Sequence, residues 1–535
     1  MTERPLELEW NPPDAGELRS GRSFAILATV FVVAVCGLVY ELIAGALSSY
    51  LLGDSVTQFS LVIGIFLTSM GIGSWLSRFV RRGVAAALVL AELAVGVIGG
   101  TTAFVGFAAF AWTESYALFL FGWIVTVGTL VGLEIPLVLR LLREARSLRV
   151  TVANVFTLDY GGALLASIAF PFLLLPWFGL VRAGFLVGAM NVAVAGVLLF
   201  ALRNEVGALF RPLLAGGAIA LVLLSGGFVS SGAWVSTIES QIYQDEIVYA
   251  VDTPYQRVVI TRWRNDTRLF LDGHLQFSSV DEYRYHESLA HPALAAAVER
   301  RRVLILGGGD GLLAREVLRY PEVESVDLVD LDETVISLFR DRPALAELND
   351  GSLRDPRVRV HAADALRFLE SAETHYDVIL IDLPDPNRDG LAKLYSRTFY
   401  RLCLRHLSPG GTLATQATSP FRAREAFWCI ANTIDATTLD RPGATPRRLH
   451  ANPYHATVPT FGTWGFVLAS DHSIDPGAIP GPERVHPTPR FLTRDLLPSL
   501  FVFPADMGPL STEINDLVDP VLSRYYRAGY HRYLE

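Results

Sequence analysis

The feature that most restricts how this chain can fold is a long apolar segment that extends from Ser23 to about Val229. Charged and turn-forming residues interrupt it at intervals of about 20 residues, the length that an α-helix needs to cross a bilayer. A large buried helical domain would need polar outer faces, which these stretches lack. About seven membrane spans are therefore expected: 24–47, 57–79, 84–110, 116–139, 155–176, 180–202 and 212–230.

The composition of the whole chain limits its partners. Hydrophobic residues make up 51% of the chain, and the mean hydropathy of +0.35 is too apolar for an ordinary soluble protein. The formal net charge of −9 argues against nucleic acid as a partner and suits cationic ligands. Cys36, Cys403 and Cys429 have no paired spacing, so neither a disulfide framework nor a metal site is expected.

The ends of the predicted spans carry the signals that set membrane orientation. Residues 1–22 form a polar tail, and arginines cluster at 19–22, 78–82, 140–149 and 203–211, which are alternate ends of the spans. The positive-inside rule then places the N-terminus in the cytoplasm. Seven spans would leave the second half of the chain outside. Either the count is wrong by one or that half faces outward, and the sequence leaves both open.

Four carboxylates lie within the apolar spans, namely Glu41, Glu92, Glu134 and Asp159. Because a charge at mid-membrane is costly, such residues often have a function. One hypothesis is a binding path for a cationic amine. The more common explanation is that such residues lie near the interface or stay protonated and hydrogen-bonded.

The second half of the chain is organised around one strand–turn–helix–strand segment. An apolar run at 303–306 leads into a turn with four glycines at 307–311, a helical pattern at 312–320, and a second apolar run at 326–329 that ends on Asp330. This is the opening unit of a doubly wound sheet, in which a carboxylate at the position of Asp330 binds a ribose diol.

Asp310 restricts which nucleoside this glycine-rich turn can hold. A turn that cradles a pyrophosphate would not normally include a carboxylate, because like charges repel at a few ångström. The ligand is therefore expected to be a cationic adenosine compound and not NAD or ATP. A glycine-rich turn can also be a closely packed βα turn that binds nothing.

The remaining pattern predicts the fold class: a polytopic α-helical membrane domain, then an α/β Rossmann-like domain of the methyltransferase type with a small N-terminal antiparallel β-sheet. Further strands are expected at 357–364, 376–382, 412–417, 447–457 and 464–470, and helices at 394–407, 421–437, 493–499 and 511–528. The expected domains are a tail (1–22), the transmembrane domain (23–230), a linker (231–244), the small sheet (245–290) and the Rossmann-like domain (291–535).

Aspartates stand at or just beyond the ends of successive predicted strands. Ligands bind at the carboxyl ends of the strands in such sheets. A single aspartate there is more often a helix N-cap, but a series of them predicts an acidic cleft that suits a substrate with several positive charges. The residues are Asp310, Asp330, Asp364 and Asp382, with Asp385 in the following loop.

Residues 245–535 resemble the spermidine synthase family, the polyamine aminopropyltransferases. The resemblance rests on Tyr255-Gln256 and on the motifs LDGHLQFSSVDEYRYHE (271–287), GGGDG (307–311), VDLD (329–332), AADA (362–365), IDLPDP (381–386) and LYSRTFY (394–400). The apolar half resembles the membrane domains fused to some bacterial members. The family transfers an aminopropyl group from decarboxylated S-adenosylmethionine, a co-substrate, to a diamine, and it has no permanently bound cofactor.

The resemblance also implies roles for individual residues. Asp382 would be the proton acceptor and Asp385 would orient the amine. Asp310 would hold the aminopropyl end of the donor, and Asp330 its ribose. Asp364 and Ala365 would contact the adenine edge, Gln256 the methylthioadenosine part, and Tyr285 and His286 would line the polyamine channel.

Two departures from the family pattern concern the acceptor. Leu383-Pro384 replaces a hydroxyl-bearing pair, and Phe461 replaces a tyrosine. Both changes resemble thermospermine synthases, so putrescine is the expected acceptor and spermidine its rival.

Two further readings remain, a methyltransferase acting on a small amine and a membrane polyamine transporter or sensor. Asp310 argues against the first, because intact S-adenosylmethionine carries a carboxylate near the turn. Asp382 beside Asp385 argues against the second, because binding needs no base. The expected partners are a diamine or polyamine and the lipid bilayer of the cell membrane, with no nucleic acid. A homo-oligomer is expected from the soluble relatives, which form dimers or tetramers.

Overall fold

The computed structural model describes residues 21–52, 55–113, 115–142, 148–243, 245–440, 446–482 and 485–532. The tail predicted at 1–22 lies outside these residues, apart from its last two. The chain divides between residues 244 and 245 into two compact units, which we call the N-terminal unit and the C-terminal unit.

The described part of the N-terminal unit consists of helices. Large apolar side chains such as Leu118, Phe172 and Val222 are exposed on them, as expected for helices whose outer faces contact lipid. The helices are α1 (Gly21–Leu52), α2 (Ser55–Leu76), α3 (Val84–Gly100), α4 (Thr102–Trp112), α5 (Tyr116–Gly132), α6 (Glu134–Leu142), α7 (Leu148–Ala169), α8 (Leu175–Ala201), α9 (Arg203–Val206) and α10 (Phe210–Tyr243), with a π-helical turn at Phe170–Leu174.

Among the described residues, five helices are long and apolar enough to cross a membrane, or six if the bent pair α3 and α4 counts as one span. The seven predicted spans are therefore not reproduced by this count. One of the five, Arg149–Ala201, has 53 residues, which is about 80 Å of helix against a hydrocarbon core of about 30 Å. It is interrupted at Gly179, whose φ of 67° and ψ of 176° are not helical. The count thus joins the predicted spans 155–176 and 180–202.

The segment predicted as a linker, 231–244, is helical as far as Tyr243, because α10 continues through it. A fall in hydropathy shows where a helix leaves the apolar region, but it does not end the helix. A helix ends when its backbone hydrogen bonds stop, and no proline or glycine interrupts α10 after Gly232.

Helices α3 and α8 approach each other through glycines. A Cβ on Gly188 would lie 2.6 Å from the carbonyl oxygen of Gly96 and 2.8 Å from Cα of Gly100, and a Cβ on Gly184 would lie 2.9 Å from the Gly100 oxygen. Glycines four residues apart on both helices let the two backbones touch, which is the small-residue packing typical of membrane helices.

The C-terminal unit begins with a four-stranded antiparallel sheet whose order follows the sequence. Its strands are β1 (Glu246–Asp252), β2 (Arg257–Trp263), β3 (Asp266–Leu271) and β4 (His274–Ser278). The turn between β3 and β4 is Asp272-Gly273, and both residues have positive φ. Asp-Gly favours this hairpin turn because its twist matches that of the strands.

A seven-stranded sheet forms the rest of the C-terminal unit, with helices on both faces over two buried apolar clusters. Its elements, with a separate two-stranded pair β10 and β11, are α11 (Glu282–Ala296), β5 (Arg302–Gly307), α12 (Leu312–Leu318), β6 (Ser325–Asp330), α13 (Glu333–Asp341), α14 (Pro343–Ala346), β7 (Val358–Ala362), α15 (Ala365–Ser371), β8 (Tyr376–Asp382), α16 (Asp389–Ala392), α17 (Arg397–His406), β9 (Leu407–Gln416), α18 (Arg424–Asp435), β10 (Thr438–Leu439), β11 (Arg447–Arg448), β12 (His450–Val458), β13 (Gly462–Ser470), α19 (Leu496–Ser499) and α20 (Val521–His531).

The strand order is β12-β13-β9-β8-β5-β6-β7. The five strands β5 to β9 are parallel, and β13 and β12 are added antiparallel. The chain order reverses between β5 and β8, where Gly307 pairs with Asp382. Sheets of this kind bind ligands at that reversal, beyond the carboxyl ends of the strands.

The C-terminus differs most from the sequence-based expectation. The helix predicted at 511–528 begins only at Val521. The segment before it runs along α18, where the backbone N–H of Asn515 donates to Thr433 Oγ1 and Asn432 Nδ2 donates to the carbonyl of Leu510. These long-range hydrogen bonds replace the local bonds of a helix.

Candidate active site

The glycine-rich turn lies at the end of β5, beside the end of β8. A Cβ on Gly307 would clash with the carbonyl oxygen of Asp382, so the two strands can close here only around glycine. A Cβ on Gly309 would lie 2.8 Å from the carboxyl group of Asp330, whose Oδ2 accepts a hydrogen bond from the Gly309 N–H at 2.9 Å. The turn thus lies between two of the predicted site carboxylates.

Asp382 is held by Tyr285, which donates from Oη to its Oδ1 at 2.6 Å. Burial raises the pKa of Asp382, while the charge of His286 and the hydrogen bond from Tyr285 oppose that rise. Burial and the charge of Asp382 raise the pKa of Tyr285 well above its ordinary value, so its hydroxyl stays protonated and donates. A carboxylate with a raised pKa and one oriented oxygen is suited to accept a proton.

His286 supplies a positive charge next to the carboxylates. Its Nδ1 lies 2.7 Å from Glu282 Oε2, one turn earlier on α11. Glu282 also accepts from Arg315 Nη2 at 2.9 Å. Burial lowers the pKa of His286, but the bond to Glu282 and the charges of Glu282, Asp310 and Asp382 outweigh it and raise this pKa to about 9. The imidazole is therefore protonated at neutral pH.

Asp310 precedes α12, and its Oδ1 accepts from the Leu312 N–H at 3.0 Å. Burial raises the pKa of Asp310 to about 6, with the charge of His286 opposing and that of Asp382 adding to the shift. The carboxylate is mostly ionised at neutral pH. An ammonium group bound to it would lower this pKa again.

Asp330 and Gln256 are brought together through Asp332. The Asp332 N–H donates to Asp330 Oδ1 at 2.9 Å, and Asp332 Oδ2 accepts from Gln256 Nε2 at 3.1 Å and from Thr253 Oγ1 at 2.8 Å. Burial raises the pKa of Asp330. The loop between β1 and β2 is thereby fixed to the end of β6.

One carboxylate oxygen of Asp385 accepts hydrogen bonds, and the other has no hydrogen-bond partner among the described residues. Its Oδ2 accepts from Tyr526 Oη at 2.9 Å and from Thr418 Oγ1 at 3.4 Å, whereas Oδ1 is buried without a partner among the described residues. Burial raises the pKa of Asp385 to about 6, against the hydrogen bonds from Tyr526 and Thr418. Thr418 has a φ of 58°, which a β-branched residue rarely adopts, so the backbone is strained here.

The loop between Asp382 and Asp385 is held through its carbonyl groups. Tyr395 Oη lies 3.0 Å from the carbonyl oxygens of both Leu383 and Pro384. Gln416 Nε2 donates to the Leu383 carbonyl at 2.8 Å and to Tyr395 Oη. Because the loop is fixed by its backbone, its side chains need no hydroxyl to keep its shape.

Asp364 is a helix N-cap. Its Oδ1 accepts from two backbone N–H groups of α15, which begins at Ala365. Its Oδ2 lies 3.9 Å from Lys393 Nζ. Within the described ranges, no hydrogen bond or ion pair joins the Asp364 side chain to another predicted site residue, so helix capping is sufficient to explain its position.

Aromatic rings pack around Tyr285. The ring centroids of Phe466 and Phe461 lie 5.4 and 6.2 Å from that of Tyr285, and Trp464 lies 5.0 Å from Phe461. The faces of such rings attract ammonium groups. Phe461, one of the departures noted in the sequence, therefore lies close to the residue that holds Asp382.

Residues that contact the site without having been assigned to it from the sequence include Glu282, Tyr395, Gln416 and Tyr526. The spacing of Glu282 and His286, four residues apart on a helix, was a signal available in the sequence. Tyr395 lies in the LYSRTFY motif. Tyr526 gave no signal, because it is 141 residues from Asp385.

The chain is similar to known proteins along most of its length. Residues 282–476 match the family model described as the spermine/spermidine synthase domain. The chain is 45% identical over 532 residues to polyamine aminopropyltransferase 1 of Ralstonia nicotianae, covering 97% of this chain and 98% of that protein. It is 42% identical over 513 residues to the polyamine aminopropyltransferase of Leptospira interrogans, with 96% and 99% coverage.

A crystal structure of spermidine synthase in complex with the transition state analogue AdoDATO is also similar, with 27% identity and a TM-score of 0.44 over 48% of this chain and 85% of that one. The two bacterial relatives match along nearly the whole chain, so the likeness includes the N-terminal unit as well as the sheet that carries the site. This protein therefore belongs to the polyamine aminopropyltransferase family.

Proposed function

We propose that this aminopropyltransferase makes spermidine, by transferring the aminopropyl group of its co-substrate, decarboxylated S-adenosylmethionine, to putrescine. The observation that carries the proposal is the unpartnered Oδ1 of Asp385, three residues beyond Asp382. Three residues separate two Cα atoms by at most about 11 Å. Two carboxylates at this spacing suit a short diamine, with one nitrogen at Asp382 and the other at Asp385.

The reaction needs one proton acceptor and no acid. An amine nitrogen attacks the terminal methylene of the aminopropyl group, the carbon–sulfur bond breaks, and its electron pair returns to the sulfonium sulfur to give neutral 5'-methylthioadenosine. The attacking ammonium must first lose a proton, for which Asp382 is the base. Tyr285 orients that carboxylate and keeps one of its oxygens occupied.

The donor lies on the other side of the glycine-rich turn in this proposal. Asp310 binds the amine of the aminopropyl group. If the charge of Asp310 were removed, the carboxylate of intact S-adenosylmethionine could also be accommodated there. Asp330 binds the ribose, and Gln256 contacts the methylthioadenosine part. Asp364 and Ala365 contact the adenine edge at the start of α15.

The acceptor side contains Tyr285, His286 and the aromatic rings around them. The charge of His286 offsets part of the repulsion between Asp310 and Asp382, which lowers the pKa of both carboxyl groups. Leu383-Pro384 and Phe461 favour spermidine as a second candidate acceptor, because both remove hydroxyls from this side. The product would then be spermine or thermospermine.

A product assay distinguishes these acceptors. Detergent-purified protein is given decarboxylated S-adenosylmethionine with putrescine or spermidine in separate reactions, and the products are identified by mass spectrometry. We expect spermidine and methylthioadenosine from the putrescine reaction. If product forms only from spermidine, spermidine replaces putrescine as the acceptor. If neither amine yields methylthioadenosine, the proposed reaction is contradicted.

The role of Asp382 is tested by Asp382→Asn, which keeps the shape of the side chain and removes its basicity. We expect turnover to fall about 10²- to 10⁴-fold, while methylthioadenosine binding measured by calorimetry is retained. Unchanged turnover would exclude Asp382 as the base.

The charge argument for Asp310 is tested with the two forms of the donor. Asp310→Asn should weaken binding of decarboxylated S-adenosylmethionine and improve binding of intact S-adenosylmethionine, because the repulsion between two carboxylates is removed. Glu282→Gln is the control, since it removes a neighbouring carboxylate and leaves Asp310 itself in place. Equal changes for both donors would contradict the argument.

We also propose a multi-pass protein of the cell membrane, with seven spans within 23–230 and the catalytic domain at 245–535. The interruption at Gly179 supports counting Arg149–Ala201 as two spans. Within the catalytic domain, 245–290 and 291–535 are the proposed boundaries of the small sheet and the Rossmann-like core. Association into a homo-oligomer stays a prediction, which the mass of the purified protein in detergent would test.

A further inference from the structure

The N-terminal unit contains a buried polar group that the aminopropyl transfer does not use. Glu92, Glu134 and Asn191 are 2%, 5% and 0% exposed, on α3, α6 and α8. Tyr40 on α1 is 1% exposed. We call these four residues the buried polar cluster.

The carboxylates of the cluster lie well inside the candidate membrane spans. Glu92 is eight residues from either end of α3, which spans Val84–Gly100. Glu134 is eight residues from the end of the candidate span Tyr116–Leu142. Eight residues of helix are about 12 Å, so both carboxylates lie well inside their candidate spans, with Glu134 as the first residue of α6 after the break at Leu133. The explanation that these acids lie near the membrane interface therefore does not apply to them.

Apolar packing is interrupted where the cluster lies. Two separate clusters of buried apolar residues occupy the N-terminal unit, and along α3 one includes Val89 and the other Val95. Glu92 lies between them. Its backbone carbonyl accepts from Asn191 Nδ2 at 2.8 Å and its Oε2 accepts from the same nitrogen at 3.3 Å, so the glycine contact between α3 and α8 fixes this pair.

Hydrogen-bond acceptors in the cluster lack partners. Asn191 Oδ1 and Tyr40 Oη are buried and unpaired among the described residues. Asn191 Oδ1 belongs to the amide that contacts Glu92. The ring of Tyr40 packs on α3, since a Cβ on Gly99 would lie 2.7 Å from its Cδ2. Glu134 lies on α6, which packs against α3, and no lysine or arginine in the described ranges forms an ion pair with either acid. A buried polar atom without a partner is unfavourable, and a ligand with several donors would supply the missing hydrogen bonds.

We propose that the buried polar cluster binds an alkylammonium group of a diamine or polyamine within the N-terminal unit. An ammonium carries three N–H donors and a positive charge, and the cluster offers two carboxylates, an amide oxygen and a phenol oxygen. The part of the chain that the structure describes has no set of three His, Cys, Asp or Glu placed to hold a metal ion. Acceptors of this kind without metal-binding geometry favour an organic cation.

The experiment measures binding of radiolabelled putrescine to full-length protein in detergent and sodium-free buffer. All variants carry Asp382→Asn and Asp385→Asn, which weaken the acceptor site of the C-terminal unit. We expect one putrescine to bind per chain on this background, and at least about tenfold weaker binding after Glu92→Gln with Glu134→Gln. Glu41→Gln removes a carboxylate of α1 outside the cluster and should leave binding unchanged.

Tyr40→Phe keeps the ring and removes one oxygen, so it separates ligand binding from folding. We expect affinity to fall about 2- to 10-fold without a change in thermal stability. Two results would overturn the proposal: no binding on the doubly substituted background, or equal binding with and without Glu92 and Glu134. Displacement of putrescine by sodium but not by spermidine would also overturn it, because the site would then select a small metal ion.

Discussion

Burial makes the carboxyl groups of the candidate active site weaker acids than ordinary aspartates. Burial raises the pKa of Asp310 and Asp385 to about 6, while the neighbouring His286, with a pKa of about 9, stays protonated. Under the proposed function, binding of a cationic substrate needs the ionised form of both acids. The site thus has a lower pH limit set by burial rather than by the ordinary acidity of aspartate.

The pH dependence of kcat/KM for the acceptor tests this limit. Both folded pKa values lie above the ordinary value of aspartate, so the required charges are present above about pH 6 and are lost as pH falls through that value. We expect kcat/KM to decline below about pH 6, with a shallower decline in Asp385→Asn, which lacks one of the titrating groups. A profile that is flat between about pH 8 and pH 5 would contradict this expectation.

At the scale of secondary structure, elements distant in the sequence complete the site. Helix α20 contributes Tyr526, which donates to Asp385 and stacks on Tyr530 with ring centroids 4.5 Å apart. In the N-terminal unit, α3 and α8 depend on glycine for their contact. The first contact depends on the Tyr526 hydroxyl, and the second on the absence of a Cβ at the glycines. Each can therefore be tested by a small substitution.

Tyr526→Phe removes the hydroxyl that donates to Asp385. We expect the KM for the amine to rise about 3- to 10-fold, because Asp385 loses the partner that orients it, with a smaller change in the KM for the donor. Tyr525→Phe is the matched control, since Tyr525 donates to Glu513 on the exposed side of the same helix. Equal effects of the two substitutions would show that only helix stability had changed.

Gly188→Ala adds one methyl group where α8 meets α3. We expect a lower unfolding temperature in detergent, because that Cβ would lie 2.6 Å from a backbone oxygen and 2.8 Å from a Cα of α3. Gly196→Ala on the same helix meets nothing within 4 Å and should leave stability unchanged or slightly higher. Similar unfolding temperatures for the two variants would mean that the helices do not pack through this contact.

At the scale of the whole molecule, charge and hydropathy are distributed for a cationic substrate and a lipid environment. The net charge is −9, and Asp310, Asp330, Asp382 and Asp385 add a local negative field in the C-terminal unit. The N-terminal unit exposes apolar side chains instead. Association with an amine should therefore depend on electrostatic attraction that salt can screen.

The KM for putrescine should rise several-fold when salt increases from about 20 mM to about 300 mM, because the Debye length falls from roughly 20 Å to below 10 Å. We expect kcat to change little, since the bound amine lies among buried charges that are screened less. The measurement is steady-state kinetics with choline chloride and with potassium chloride as the added salt. A KM that does not depend on salt would contradict long-range attraction.

Local chemistry determined much of this protein from the sequence alone. Strand patterns followed by Asp310, Asp330 and Asp382 predicted the order of elements around the glycine-rich turn, because hydrophobic periodicity and turn residues act over short distances. The apolar segment predicted membrane helices for the same reason. The position of the break at Gly179 also follows from a local signal, the Pro-Trp-Phe-Gly sequence that ends there.

The tertiary structure decided what depends on long-range contacts. It assigns Tyr526 to Asp385, makes Asp364 a helix cap without contact to the other acids, and delays the last helix to Val521 because Asn515 bonds to α18. It also groups Glu92 and Asn191, which are 99 residues apart. Spacing along a chain cannot specify such pairs, because they form only when packing brings separate elements together.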